Sequence, residues 1–437
     1  MLRYYALLTF GCQMNLHDAE HICGSLEAEG WKESELEEAD AVILLTCCVR
    51  ESAEQRFYGR LSALKSLKKN GDVTIAVGGC LAQKEGLRLM ERAPYVDLVF
   101  GTQQYPNIAG LLEGAMGGGL CSTAMDGLNM ADVPFRRRDR FRAWVTITHG
   151  CDNFCSYCVV PYVRGRESSR PMDEVLKEVG LHVSEGAREI NLLGQNVDSY
   201  RRKEEGRSRF ADLLRLVGER DPEPWIRFIT SHPRDFDARI MQAIGDTANV
   251  CEYVHLPLQS GSDRILESMK RGYDRKEYLE KVLELRRIVT EVSLTTDIIV
   301  GFPGESEEDF TATLEMVELC RFDAAFTFIY NPREETAASL MHDDVPAKTK
   351  HERLNRLTSV TRAMTAASLR REVGKEQSVL VLGPSRKSPR KWTARTRLNK
   401  LVHFERGESD LSGRLVRVII SSAGSWSLQG ELVEVLG

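Results

Sequence analysis

Gly150-Cys151-Asp152-Asn153-Phe154-Cys155-Ser156-Tyr157-Cys158 spaces three cysteines as C-x3-C-x2-C, with no fourth cysteine nearby. Three thiolates can hold three irons of a cubane [4Fe–4S] cluster and leave the fourth iron without a protein ligand. An open iron can bind a substrate or cofactor, so the spacing points to chemistry done at the cluster. Structural zinc is the rival, but it asks for four ligands, usually as paired C-x2-C units.

The flanking sequence says which fold carries this loop. Strands are predicted at 144–148, 188–193, 226–230, 253–258, 293–300 and 325–330, with helical stretches such as 172–185, 275–289 and 307–320 between them. Polar or glycine-rich residues follow every strand. After the cysteine loop come Gly194-Gln195-Asn196, Ser231-His232-Pro233, Gln259-Ser260-Gly261-Ser262, Gly301-Phe302-Pro303-Gly304 and Asn331-Pro332-Arg333. That pattern predicts an α/β chain built on a partial (β/α)6 barrel with one functional rim.

The first 120 residues show the same alternation. Strands are expected at 5–10, 41–46 and 73–77, and helices at 18–29 and 51–69. A cysteine closes each strand: Cys12, Cys47 and Cys80. In open α/β sheets ligands gather outside the carboxyl ends of strands. The three cysteines therefore predict a second metal or cluster site. A glycine-rich stretch at 114–119 and the run Arg136-Arg137-Arg138-Asp139-Arg140 read as a connector, either solvated or touching phosphate. Beyond a helical segment at 348–371, residues 373–437 predict a small antiparallel β-barrel of about five strands. Between 383 and 407, eight Lys or Arg face one acid, Glu405, with Trp392 and Phe404 interleaved. Basic groups and aromatic platforms on a small barrel suit RNA; an ordinary charged edge is the plainer reading.

The whole chain sets bounds. Its 437 residues suffice for several cores, and a net charge of −5 confines any nucleic-acid surface to a patch. Eleven scattered cysteines argue against a disulfide framework. Cys23, Cys48, Cys121, Cys251 and Cys320 are expected as small buried hydrophobes. No apolar run reaches the ~18–20 residues of a membrane span, and the first residues read as a buried strand rather than a leader. A reducing cytoplasm suits such thiolates.

The C-x3-C-x2-C loop, with Tyr157 before its last cysteine and a strand before its first, resembles the radical S-adenosylmethionine superfamily. In that family the open iron chelates the methionine moiety, and one electron releases a 5′-deoxyadenosyl radical. The resemblance covers the chain. Thr9-Phe10-Gly11-Cys12-Gln13-Met14-Asn15, Thr46-Cys47-Cys48-Val49-Arg50-Glu51 and Gly78-Gly79-Cys80-Leu81-Ala82-Gln83 look like the N-terminal motifs of methylthiotransferases. Residues 151–170, Gly194-Gln195-Asn196-Val197, Thr230-Ser231-His232-Pro233, and the runs 255–265 and 297–305 look like the MiaB type. The last barrel resembles the TRAM RNA-binding domain. Gly11-Cys12-Gln13-Met14-Asn15 points to enzymes acting on isopentenyladenosine at position 37 of tRNA. The alternative is a relative acting on threonylcarbamoyladenosine or on a ribosomal-protein aspartate. Leu45 stands where the family commonly has Asn, and His149 where it commonly has Glu.

The resemblance implies a radical cluster on Cys151, Cys155 and Cys158 and an auxiliary [4Fe–4S] cluster on Cys12, Cys47 and Cys80. The auxiliary cluster would carry sulfide or polysulfide, and each turnover would use two molecules of S-adenosylmethionine. Gln195, Asn196, Ser231, Gln259 and Asp297 are the candidates to hold that cofactor, with backbone at 299–304 near its adenine; strand capping is the plainer role. Arg164, Arg166 and Arg170 could pair with the cofactor carboxylate or with phosphate. Arg390, Lys391, Trp392, Arg395 and Arg397 are the RNA candidates. Three units are expected, at 1–120, 137–367 and 371–437. Expected partners are a tRNA anticodon stem-loop whose target base leaves its stack, an electron donor, and a sulfur or iron–sulfur assembly donor. A cytoplasmic monomer without membrane contact is expected.

Overall fold

The computed structural model describes residues 3–48, 51–70, 72–116, 118–125, 127 and 133–436. Val49 and Arg50 of the second N-terminal motif, and Gly117 of the glycine-rich stretch, lie outside them. The N-terminal unit is built on a six-stranded parallel sheet. Its order is Trp31–Glu33, Arg3–Thr9, Ala41–Thr46, Thr74–Gly79, Leu98–Phe100, Leu120–Ser122. Helices cover both faces, so central strands are apolar throughout rather than alternating. Ala41–Thr46 and Thr74–Gly79 are buried at every position. Their register pairs Thr46 with Gly79, while Thr9 pairs with Leu45. The three strand ends are thereby level. Leu45 lies in the core under this sheet.

One N-terminal helix differs from expectation. The helix read at 18–29 begins at Gln13 and runs to Ala28, with Cys12 as its N-cap. Asn15 and His17, polar enough to read as loop, are buried within it.

The middle of the chain forms two three-stranded parallel sheets, Arg142–Thr146, Glu189–Leu193, Trp225–Phe228 and Tyr253–His255, Ser293–Val300, Ala324–Ile329. A parallel bridge between Ile226 and Val250 joins them. This is the expected six-stranded partial barrel. Ile190, Leu192, Phe228, Leu294 and Ile298 belong to the core between strands and helices. Capping boxes at Asp274 and Ser306 start the helices Arg275–Ile288 and Glu307–Cys320.

The long helix Ala347–Arg370 packs on Ala324–Ile329 and leads to a closed five-stranded barrel. That barrel is not wholly antiparallel as expected: Leu401–Glu405 pairs in parallel with Leu428–Val435. Closing an odd number of strands requires at least one such pair.

Three arginines of the run are engaged within the protein, while Arg140 is exposed over the Phe141 ring. Arg136 pairs with Glu27 and Glu33, and Arg138 with Glu33. Arg137 donates to His182 O at 3.0 Å and Glu185 O at 2.7 Å, at the carboxyl end of the helix Met172–Ser184. Arg136, Arg137 and Arg138 stitch the N-terminal unit to the central barrel.

Candidate active site

Cys12, Cys47 and Cys80 each follow a parallel strand of the first sheet. Gly11 has φ +131, and a Cβ there would lie 2.4 Å from Cys47 Cβ. Only glycine lets the chain carrying Cys12 approach Cys47 this closely. The Arg164 guanidinium enters from the radical barrel, donating to Cys80 Sγ at 3.4 Å and to Asp18 at 2.8 Å. Its whole side chain is buried. A hydrogen bond from Cys47, then the charge of Arg164, hold the Cys12 thiol at about 6 against its burial. Contact with Cys48 and the same arginine bring Cys80 to about 7. Both thiols are therefore poised to ionise near neutrality, and the thiolate is the form that binds iron. This donor set fits a cluster.

Cys151, Cys155 and Cys158 occupy the loop between Thr148–His149 and the short helix Val160–Arg164. Phe154 has φ +45 and turns its ring outward, under the Arg166 guanidinium. Burial pushes Cys151 and Cys158 up to about 12. Ionising this triad thus calls for positive charge. Arg271 supplies one, donating to Cys155 Sγ at 3.3 Å. His232 Nε2 lies 4.0 Å from the same sulfur, and burial holds that imidazole well below its usual range.

The rim residues divide. Both amide atoms of Gln195 and Oε1 of Gln259 are buried without a hydrogen-bond partner. Each such orphan costs ~1–3 kcal/mol, so both fit a polar ligand. Gln259 also sits at φ +67, and Thr230, just before Ser231, at +75, the strained backbone that gathers at ligand sites. Asn196 gives its amide to Asp235 at 2.7 Å and keeps Oδ1 unpartnered. Ser231 donates to Asp198 at 3.1 Å, so its hydroxyl serves the strand end as a cap. Asp297 lies 3.3 Å from His255 Nε2.

Of the arginines, Arg164 and Arg170 are taken by internal carboxylates, Arg170 by Glu178 at 2.6 Å. Only Arg166 is exposed, and it pairs with Asp152. His149 is buried, and burial brings it to about 3. No disulfide links the eleven cysteines, all of them among the described residues. Cys23, Cys48, Cys251 and Cys320 are buried as expected, while Cys121 is half-buried.

The RNA candidates need correction. Trp392 is fully buried with Phe404 in the last barrel's core, so neither ring can stack on a base. Arg397 donates to Glu252 at 2.6 Å and to Val250 O at 2.7 Å. Arg395 lies 3.9 Å from Glu189. Both face the radical barrel. Arg390 is exposed, and Lys391 donates to Gln429 at 2.8 Å. Sequence reasoning missed Arg271, His232 and Asp18. His232 stands inside the quoted Thr-Ser-His-Pro motif, but nothing local marks Arg271.

The chain matches the Radical SAM superfamily over residues 145–317, the uncharacterized protein family UPF0004 over 4–101 and the TRAM domain over 370–433. Among solved structures, it resembles the radical S-adenosylmethionine methyltransferase TsrM from Kitasatospora setae. The TM-score is 0.59 at 14% identity, over 78% of this chain and 77% of that one. At that identity the likeness speaks for the fold. The tRNA-2-methylthio-N(6)-dimethylallyladenosine synthase of Moorella thermoacetica is 46% identical, over 98% of each chain. That of Carboxydothermus hydrogenoformans is 44% identical, over 98% of this chain and 99% of its own. With that identity along nearly its whole length, and with all three domains present, the chain belongs to the family of tRNA-2-methylthio-N(6)-dimethylallyladenosine synthases within the radical S-adenosylmethionine superfamily.

Proposed function

We propose that this chain installs a methylthio group at C2 of N6-isopentenyladenosine, at position 37 of tRNA. It is a radical S-adenosylmethionine enzyme of the sulfur-group transferases, working with an iron–sulfur cluster and S-adenosylmethionine on tRNA. The finer assignment is ours: Cys151, Cys155 and Cys158 hold the radical cluster, and Cys12, Cys47 and Cys80 an auxiliary one. When bound, these groups supply a hydrogen-abstracting radical and the sulfur to be inserted.

The protein's own residues prepare for both. Arg271 offsets negative charge at Cys155, and Arg164 does so at Cys12 and Cys80. Gln195 and Gln259 offer unpaired amide atoms to S-adenosylmethionine. Met14, beside Cys12, packs with Trp144, Leu193 and Ile229 of the barrel strands. That apolar contact covers the side of the junction beside Cys12, where keeping water out protects a radical from being quenched.

One observation carries the two-cluster reading. Arg164 lies six residues after Cys158 and donates to the sulfur of Cys80. One side chain thus ties the radical loop to the auxiliary triad. The decisive experiment is anaerobic. Reconstituted protein, dithionite, S-adenosylmethionine and an isopentenylated anticodon stem-loop should yield 5′-deoxyadenosine and the 2-methylthio nucleoside by mass spectrometry. Absence of 5′-deoxyadenosine would sink the radical reading. Unchanged methylthio-isopentenyladenosine in tRNA from a strain lacking the gene would sink the substrate.

A further inference from the structure

Away from the cysteines, the N-terminal unit meets the radical barrel through two helices, Gln13–Ala28 and Met172–Ser184. Each presents a pair of potential metal ligands four residues apart, His17 with His21 and Glu178 with His182. Spacing of i, i+4 puts both members on one helix face. The two faces meet. One ligand atom each from His17, His21 and Glu178 lie within 4.8 Å of one another. His182 Nε2 is 3.7 Å from Glu178 Oε1. The His17 and His21 rings are 4.5 Å apart.

The site is closed to water. His17 and His182 are 1% exposed and His21 is 3% exposed. Yet the imidazoles are not satisfied. His17 Nε2, His21 Nδ1 and His182 Nδ1 have no hydrogen-bond partner, and His17 Nδ1 stands 3.6 Å from Asp18, beyond hydrogen-bond reach. Gathering several buried orphan nitrogens around a carboxylate is costly unless one cation satisfies them together. Arg170 donates to Glu178 Oε2 at 2.6 Å and leaves Oε1 turned to His182. A carboxylate anchored on its far side is the usual support behind a metal ligand.

We infer that His17, His21 and Glu178, joined by His182 once its ring turns from Glu178 toward the other two, form a closed divalent-metal site, zinc by its ligand chemistry, that clamps the N-terminal unit onto the radical barrel. Four protein ligands of imidazole and carboxylate type, with no open position, make a structural zinc site. Ligands about 2.0 Å from a tetrahedral ion stand about 3.3 Å apart, so modest side-chain rotation closes the cluster. Phe135 lids it, its ring 4.6 Å from His182 and 5.8 Å from His21. The clamp lies on the helix that Cys12 caps. It would fix that helix, and so the auxiliary triad, relative to the barrel.

The test uses the full chain with its clusters assembled, so that cluster cysteines do not capture the added ion. One equivalent of Zn²⁺ is added anaerobically, the unbound ion is removed, and zinc per chain is measured. The expected result is about one zinc, with a zinc-edge absorption spectrum of nitrogen and oxygen neighbours near 2.0 Å. His17→Ala with His21→Ala should retain less than about a tenth of it. Glu178→Gln keeps an acceptor for Arg170, guards against misfolding, and should weaken zinc at least about tenfold against a chromophoric chelator. Three results overturn the inference: no zinc retained by the parent, sulfur neighbours near 2.3 Å, or variants that bind zinc as the parent does.

Discussion

Arg164 is the most consequential single side chain at the junction, because it faces one buried carboxylate and two ionisable thiols. Replacing it by Met keeps the volume and strands Asp18 in the interior. Breaking a buried pair this way costs about 3–5 kcal/mol. The pH dependence follows from Asp18: against burial, Arg164 and then His17 hold its carboxyl at about 2, below the usual carboxylate range. In the parent, the stability from this pair is present above about pH 4 and is lost as pH falls toward 2. In Arg164→Met, only His17 is left to oppose burial, and Asp18 rises. The stability difference between the two proteins should shrink on going from neutral pH to about 5, read from denaturant midpoints. An equal difference at both would deny Asp18 its role. A second prediction separates the triads. Cys80→Ala should keep 5′-deoxyadenosine formation, lose the methylthio product, and cut iron from about eight to about four per chain. Cys155→Ala should lose both activities. If Cys80→Ala loses both with its radical cluster intact, the division of labour fails.

The helix Gln13–Ala28 shows why part of the site was not legible. Gly24 is an interior helical position, where alanine would gain about 1 kcal/mol in propensity. A Cβ there, however, would stand 2.4–2.6 Å from the backbone of Phe135. That strand of linker is pinned by Arg136 N–H to Glu20 O and Arg138 N–H to a Glu20 carboxylate oxygen, both at 2.9 Å. It cannot retreat, and overpacking costs about 1–3 kcal/mol. Gly24→Ala should therefore lower the melting temperature by a few degrees; a rise would show the linker to be loose. The same packing explains the reading. Strands such as Ala41–Thr46 were legible because burial on both faces leaves an unbroken apolar run, and the cysteines at their ends followed. The helix start at Gln13 was hidden because Asn15 and His17 are polar residues turned inward, onto partners such as Arg164 and Glu178 that are distant in sequence. Arg136-Arg137-Arg138 misled for the matching reason, since Glu27, Glu33 and a helix end consume its charge.

At the scale of the molecule, the last barrel docks where its basic stretch was expected to meet RNA. Arg227, 3% exposed, bonds Glu189 at 2.7 Å and also donates to Thr396 O and Arg397 O. Lys400 reaches Glu372 at 2.8 Å and Asp323 at 3.4 Å. Glu189, Glu252 and Asp323 all lie at the amino ends of radical-barrel strands. The cysteine loop, Gln195 and Gln259 follow the carboxyl ends, about five residues or roughly 17 Å along. Docking and the proposed active site thus use opposite rims. Within the strand Lys391–Thr396, Thr396 marks the docked end, which leaves the exposed Arg386, Lys387 and Arg390 at the other end for phosphate. Each phosphate neutralised adds about 0.7–0.9 to the slope of log affinity against log salt. Replacing Arg386, Lys387 and Arg390 by Ala should lower tRNA affinity and flatten that slope by about 2. Arg397→Ala should instead leave the slope in place and loosen the docked barrel, visible as faster proteolysis between the two domains. If Arg397→Ala flattens the slope as the triple variant does, while the domains stay docked, then the arginines facing Glu252 and Glu189 reach RNA after all.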